Sequence, residues 1–307
     1  MGGAVLGFLW AITVFIGVYK SILLPHKSLT DSVNPVTIIK SIPLQEQFGH
    51  SAYIYFEKKG EDVLEGSGVM VSSDGYIAAL YNGKKSPDTD KYYVIFQGQK
   101  YAVKSIVSDE KWGLSFYKID IKNVPIVTFA DIEDLKAGDT LMYFDSNFVK
   151  KEAIFSGVSI LEQEEYSSEI IPRIYKIENQ EILFSVPVYN TSEDLVGIAD
   201  TFGEIIDHTH ISFLIPSLFL SGQVKKPVLG IEYSFQDQVV ITKLKKPAND
   251  AGLKIGDKIL LFDGIFVNER QTLPELVARS VPGTSVMIEY ERDTKKYLQE
   301  ITLGFLN

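Results

Sequence analysis

Four histidines and the serines within their reach set what acid–base chemistry this chain can run: His26, His50, His208 and His210. A serine hydroxyl is a poor nucleophile unless a base takes its proton. Ser185 lies in the apolar run Ile182-Leu183-Phe184-Ser185-Val186, with no histidine close to it in sequence. His208-Thr209-His210 is the densest imidazole pair. On a strand both rings would face one way, and with Asp207 they could ligate a metal. Spacing supplies no third strong ligand, so the pair reads better as solvated turn residues and no metal is expected. Cysteine is absent, which removes thiolate ligands, thiol nucleophiles and disulfides. No nucleotide-binding glycine loop is present, and no cofactor is expected. A formal net charge of −10 without any Lys/Arg cluster excludes a nucleic-acid surface. The acidic run Glu162-Gln163-Glu164-Glu165 … Glu169 reads as a solvated loop rather than a docking site for a basic partner. Asn190-Thr191-Ser192 fits a glycosylation sequon, a tripeptide common by chance.

The elements that must hold these residues are mostly strands. A chain of 307 residues suggests two domains, and 45% hydrophobic residues suffice for their cores. Over residues 51–216, short β-type runs such as Tyr92-Tyr93-Val94-Ile95-Phe96 and Thr140-Leu141-Met142-Tyr143-Phe144 alternate with turn signals such as Ser73-Asp74-Gly75. That spacing predicts an all-β barrel or sandwich. From Val228 the pattern mixes, with a helix-like segment over 272–280 between strand runs, and Lys225-Lys226-Pro227 marks the boundary. Residues 2–19 carry no charge and nearly cross a bilayer at a helical rise. With no basic flank before them and no clean cleavage site after, residues 1–24 read as an uncleaved transmembrane helix rather than a signal peptide. Residues 25–45, with Pro25, Pro35 and Pro43, read as a linker.

Three motif groups carry a family resemblance. Gly66-Ser67-Gly68-Val69 with Asp74-Gly75-Tyr76-Ile77 comes first. Ser108-Asp109 and Gly113-Leu114-Ser115-Phe116-Tyr117-Lys118-Ile119-Asp120 come next. Then follow Leu135-Lys136-Ala137-Gly138-Asp139, Phe155-Ser156-Gly157-Val158-Ser159, Pro187-Val188-Tyr189-Asn190, Leu195-Val196-Gly197-Ile198 and Ile211-Ser212-Phe213-Leu214-Ile215-Pro216-Ser217. Together they resemble the body of HtrA/Deg-type serine proteases. The resemblance implies a trypsin-like double β-barrel over 46–222, with 211–217 as its last strand. It also locates the catalytic positions. The histidine position falls on Asn82, the aspartate position on Gly113 and the nucleophile position on Phe184. Asparagine does not titrate near neutral pH, glycine has no side chain to orient a base, and Ile182, Ser185 and Val186 replace the glycines that shape an oxyanion hole. No catalytic residue is expected, because a triad works as a unit. Ser185 displaced into the nucleophile's place would still need a base.

Behind this body, Val228-Leu229-Gly230-Ile231 and Pro247-Ala248 … Ala251-Gly252-Leu253-Lys254-Ile255-Gly256-Asp257 resemble the PDZ domain of the same family, here over 226–307. The resemblance implies a peptide groove in which the N–H groups of Val228, Leu229, Gly230 and Ile231 hold a terminal carboxylate. The strand through Ile231, Glu232 and Tyr233 would accept the peptide, and the 272–280 helix, with Leu276, would form the other wall. The fold class expected is therefore mainly β: a trypsin-like double β-barrel followed by an α+β PDZ domain, preceded by a transmembrane helix. The function expected is a membrane-anchored HtrA-like pseudoprotease that binds peptides or protein C-termini. An active endopeptidase with displaced residues and a purely structural assembly protein are the alternatives. Lys20 and Lys27 weakly favour a cytoplasmic body, whereas the resemblance implies an extracytoplasmic one, which is preferred. It further implies a homotrimer or assembly with an active protease, for which Phe48, Tyr53 and Tyr55 are candidate contacts, although core packing explains them equally well.

Overall fold

The computed structural model describes residues 49–307 apart from 59, 84–87, 161–162, 179–181, 183, 236, 270 and 307. The expected transmembrane helix and linker lie outside the described residues. Among the described residues no helix is long and apolar enough to cross a membrane. Two compact units form. The first takes the chain up to Gly157 and Tyr175–His208, and the second takes Val158–Ile174 and Thr209–Asn307.

The first unit holds two closed six-stranded barrels. Strands β1 (Ser51–Lys58), β2 (Glu61–Met70), β3 (Tyr76–Leu80), β4 (Tyr92–Phe96), β5 (Gln99–Asp109) and β6 (Leu114–Ile119) close in the order β1-β2-β3-β6-β5-β4. Alternation makes this possible: Ala52 and Ile54 on β1, Ile77 and Ala79 on β3, and Val94 and Phe96 on β4 point into one core. Burying each of the larger side chains contributes about 1.5–3 kcal/mol, and closure removes the exposed strand edges.

The second barrel uses β7 (Thr140–Phe144) and β8 (Lys150–Ile160). The chain then makes a two-residue strand, β9 (Tyr166–Ser167), which belongs to the second unit, before β10 (Arg173–Ile177), β11 (Val186–Tyr189), β12 (Leu195–Ala199) and β13 (Glu204–Asp207). The order is β10-β13-β12-β11-β7-β8, around Leu141, Tyr143, Phe155, Tyr175, Val188 and Val196. One expectation is corrected here. Residues 211–217 are not the last barrel strand, which is β13; they lie in helix α1 (His208–Ser221). The alternation of Ile211, Phe213 and Ile215 imitates a strand, but the fully buried set is Ile211, Leu214 and Leu218, one face of a helix.

The second unit continues with β14 (Lys226–Val228), β15 (Ile231–Phe235), β16 (Val239–Leu244), β17 (Lys258–Phe262), β18 (Ile265–Phe266), α2 (Leu273–Ala278), β19 (Ser285–Arg292), β20 (Lys295–Thr302) and β21 (Gly304–Leu306). Its main sheet runs β20-β19-β17-β16-β15-β9, so β9 is an edge strand added beside β15. Helix α2 packs Leu276 and Val277 into a core shared with Leu229, Ile231, Phe262 and Ile288. Its start is fixed by Pro274 in the first turn and by Glu275, whose Oε2 accepts from the Thr272 N–H at 3.0 Å.

A buried ion pair ties this unit's central turn to β19. Asp257 is 1% exposed and accepts from Arg292 Nε at 2.6 Å, from Arg292 Nη2 at 2.7 Å and from the Lys254 N–H at 2.8 Å. Losing it leaves the Lys254 N–H without its acceptor and the Arg292 guanidinium with the Gly252 carbonyl as its remaining partner on this turn. Asp257→Ala is expected to lower the unfolding free energy by about 2–3 kcal/mol. Lys258→Ala, which removes an exposed pair with Glu291 at 3.7 Å, should change it by less than about 1 kcal/mol. Urea unfolding of the two variants checks the contrast.

Candidate functional site

Each unit gathers the expected residues around one polar centre. In the first unit that centre is Ser185, at the turn entering β11. Its φ of 60° lies in the left-handed region that an L-residue enters at a cost. Four hydrogen bonds hold it there. The hydroxyl donates to the Ser67 carbonyl at 2.7 Å and accepts from the Leu80 N–H at 2.9 Å. The Ser185 carbonyl accepts from the Ser67 N–H at 2.7 Å and from the Ser67 hydroxyl at 3.1 Å. Ser185 is 2% exposed, so its hydroxyl bridges two backbone groups in the unit's interior. Gly66 permits the close approach: a Cβ there would overlap the Phe184 carbonyl oxygen and sit 2.9 Å from the Ser185 Cβ.

The three positions assigned to a triad lie on segments joined at this centre. Leu80 bonds Ser185, and the Tyr81 N–H donates to the Gly113 carbonyl at 2.7 Å. Asn82 follows directly, and its Nδ2 donates to Glu65 Oε2 at 2.8 Å and to the Tyr92 hydroxyl at 3.4 Å. Gly113 takes φ 66° before β6. Asp109, the nearest acid before it in sequence, is buried and spends Oδ1 on the Trp112 N–H at 2.8 Å. Phe184 precedes Ser185 and is half-buried.

The described histidines are engaged elsewhere. The His50 ring lies 5.2 Å from that of Tyr189, and burial pushes its pKa below the usual histidine value, against the pull of Asp194. His208 Nε2 lies 2.7 Å from the Ala130 carbonyl, and its ring stacks on Phe129 at 4.9 Å. His208 and His210 sit in the first turn of α1 rather than on a strand. Residues two positions apart on a helix are about 200° apart around its axis, so the rings do not share a face. Among the described residues no group of three or more His, Asp or Glu is placed to hold a metal. Tyr53 is buried with its ring edge-on to Phe148 at 4.1 Å, and Tyr55 stacks on Tyr93 at 5.1 Å; Phe48 lies outside the described residues.

In the second unit the expected groove residues converge. Val228 ends β14, Leu229 and Gly230 make the turn, and Ile231, Glu232 and Tyr233 open β15, with Leu276 in the same core. Gly230 has φ 81°, and a Cβ there would lie 2.5 Å from the Lys246 carbonyl oxygen, so only glycine fits. The loop amides already have partners. Leu229 and Gly230 N–H donate to Glu169 Oε1 at 3.1 and 2.8 Å, and Ile231 N–H donates to the Ser168 hydroxyl at 3.0 Å. Strand β9 pairs antiparallel with β15, Ser167 opposite Glu232 and Tyr166 opposite Tyr233. The reading of this acidic run as a solvated loop is corrected at its end, over 166–169. Glu169 caps the loop and Glu165 pairs with Lys243. Sequence reasoning missed Ser168 and Glu169 because nothing local announces partners 60 residues downstream. Lys245 at 2.7 Å and Lys243 at 3.1 Å hold the Glu232 carboxyl below its ordinary pKa.

Comparison with known proteins fits both halves. Residues 227–303 match the family model described as PDZ domain. A protein of Chlamydia muridarum named as a probable DegP-like periplasmic serine endoprotease is 27% identical over 267 residues, covering 76% of this chain and 52% of that protein. A Halomonas elongata protein of the same description is 26% identical over 272 residues, covering 78% and 56%. The HtrA-type protease AlgW, solved with a tripeptide, superposes with a TM-score of 0.64 at 20% identity, covering 86% of this chain and 96% of that one.

This chain is a homologue of the HtrA/DegP-type serine proteases and carries a PDZ domain.

It spans about half the length of the curated HtrA-type relatives it matches. Its fold is mainly β, trypsin-like with a PDZ domain, as expected.

Two measurements follow for this HtrA-type homologue, one on the Ser185 centre and one on His50. Ser185→Ala leaves the buried Leu80 N–H without its acceptor, and a loss of about 1–3 kcal/mol in denaturant unfolding is expected. His50 binds a proton less readily folded than unfolded. Its contribution is therefore complete above about pH 6.5 and is lost as pH falls through the lower folded pKa. Thermal unfolding between pH 7 and 5 should show stability falling in wild type, with a shallower slope in His50→Gln.

Proposed function

We propose that this chain is a membrane-anchored HtrA-like pseudoprotease. Its barrels are an inert body, and its PDZ domain binds extended peptides or protein C-termini as an adaptor, regulator or chaperone-like holder. The observation that carries this reading is the Ser185 hydroxyl. It is buried and bonded to backbone on both sides, beside a chain whose triad positions hold Asn82, Gly113 and Phe184. A hydroxyl that donates to a carbonyl has no proton path to a base, and an amide at position 82 supplies none.

The remaining parts rest on the relatives. The Chlamydia and Halomonas proteins are named as periplasmic, which supports a body on the extracytoplasmic side; residues 1–24 as a single-pass anchor and 25–45 as linker rest on the uncharged apolar run and the prolines of the sequence. AlgW was solved with a tripeptide and with a decapeptide, which supports peptide binding by the unit that takes up 226–307, through Val228 to Tyr233 and Leu276. Assembly as a homotrimer, or with an active relative, fits a body that keeps the double barrel without its chemistry. The rival reading, an endopeptidase with displaced residues, draws on those same names.

Turnover of quench-labelled casein separates the two. Wild type is expected to release no more fluorescence than Ser185→Ala, with both folded by circular dichroism. Turnover in wild type that Ser185→Ala abolishes would overturn the pseudoprotease.

A further inference from the structure

We infer that the groove beside β15 is filled by the chain's own segment 165–169, which stands in for a peptide C-terminus, so that any external ligand must displace it. This rests on the peptide-binding reading above and adds what that reading lacks: the state of the groove and the ligand it selects.

A terminal carboxylate captured by a loop of this kind brings two oxygens to the loop amides and one N–H to the strand. Segment 165–169 reproduces each part with internal atoms. The Ser168 hydroxyl and Glu169 Oε1 are the two oxygens, 2.6 Å apart because the hydroxyl donates to the carboxylate. Between them they accept from Leu229, Gly230 and Ile231 N–H. The Ser168 N–H donates to the Ile231 carbonyl at 2.9 Å, the strand bond of a terminal residue. Ser168 is 0% exposed, buried as a captured end would be. The other carboxylate oxygen, Oε2, accepts from the Ser167 hydroxyl at 2.9 Å, which fixes the carboxylate's angle. Chain leaving the segment is fastened too. Arg173 Nη2 donates to the Glu269 carbonyl at 2.8 Å, and its Nε lies 2.7 Å from Glu275 Oε1 on α2.

The surrogate also shows which ligand fits. Ser168 occupies the terminal place, so Tyr166 lies two residues before it, its ring stacked on Tyr233 at 5.5 Å. Glu165 lies three before it, paired with Lys243. The external ligand class is therefore an extended peptide with a free terminal carboxylate, an aromatic residue two places before the end and an acid three places before it. Occupancy by the internal segment lowers the apparent affinity for such a peptide in proportion to the fraction of time the groove is open.

The test uses the full chain in detergent micelles and a fluorescein-labelled peptide of sequence Gln-Glu-Glu-Tyr-Ser-Ser with a free carboxylate, beside its C-terminally amidated form. Polarisation gives the affinity, and hydrogen exchange by mass spectrometry follows the amides of 229–231, with β19 and β20 as the folding control. Glu169→Ala should bind the free-acid peptide about tenfold more tightly than wild type. Its 229–231 amides should exchange at least about tenfold faster, and the amidated peptide should bind neither protein. Unchanged exchange, with equal affinity in both proteins, would overturn the internal ligand while leaving peptide binding intact. Faster exchange in the variant with no peptide bound by either protein would uphold the internal ligand and remove the peptide-binding reading. If Glu169→Ala does not fold, Tyr166→Ala provides the same two readouts.

Discussion

Backbone that cannot reach its own kind must find side-chain partners, and in the first unit that constraint falls on Ser185. The turn into β11 puts residue 185 at φ 60° against β2, where Gly66 leaves no room for a Cβ. Ser67 satisfies the Ser185 carbonyl, and the Ser185 hydroxyl satisfies the Ser67 carbonyl and the Leu80 N–H. Strands β2 and β3 of one barrel are thereby fastened to the entry of β11 in the other. A buried polar pair of this kind is stable only when every donor and acceptor is used. The hydroxyl is thus a structural bridge, and freeing it for chemistry would leave two backbone groups unpaired.

The second unit answers the same constraint differently. Its loop of Leu229, Gly230 and Ile231 directs three N–H groups to one point, and an internal carboxylate and hydroxyl meet them there. On the inference drawn above, the internal segment is a competitor covalently present at high effective concentration, which an incoming peptide would have to displace. The strand pairing of β9 with β15 and the pair of Arg173 with Glu275 bracket this segment at both ends.

Much of the fold was legible because it is written in local alternation and turn chemistry. Val94 and Phe96 point inward as a strand of period two requires, and the 272–280 segment with Pro274 and Glu275 starts a helix where its capping residues say it should. The resemblance makes residues 211–217 a strand, since they match its motif, while burial follows 211, 214 and 218 as on a helix. The resemblance places residues 228–233 at a glycine turn leading into a strand, and that local structure is what forms. Ser168 and Glu169 were not legible, since their role depends on amides 60 and more residues away, and an acidic run looks solvated until its partners are known. The resemblance assigns the triad positions to Asn82, Gly113 and Phe184, but that the Ser185 hydroxyl is spent on Ser67 and Leu80 required coordinates.

The most direct measurement of the central claim, that no hydroxyl in the barrel unit is an activated nucleophile, is intact-mass spectrometry of the folded full chain after exposure to a fluorophosphonate. A hydroxyl bonded to backbone on both sides and lacking a base should not attack phosphorus, so the mass should remain that of the unmodified chain. A stoichiometric adduct mapped to Ser185, or to any serine of the first unit, would contradict it.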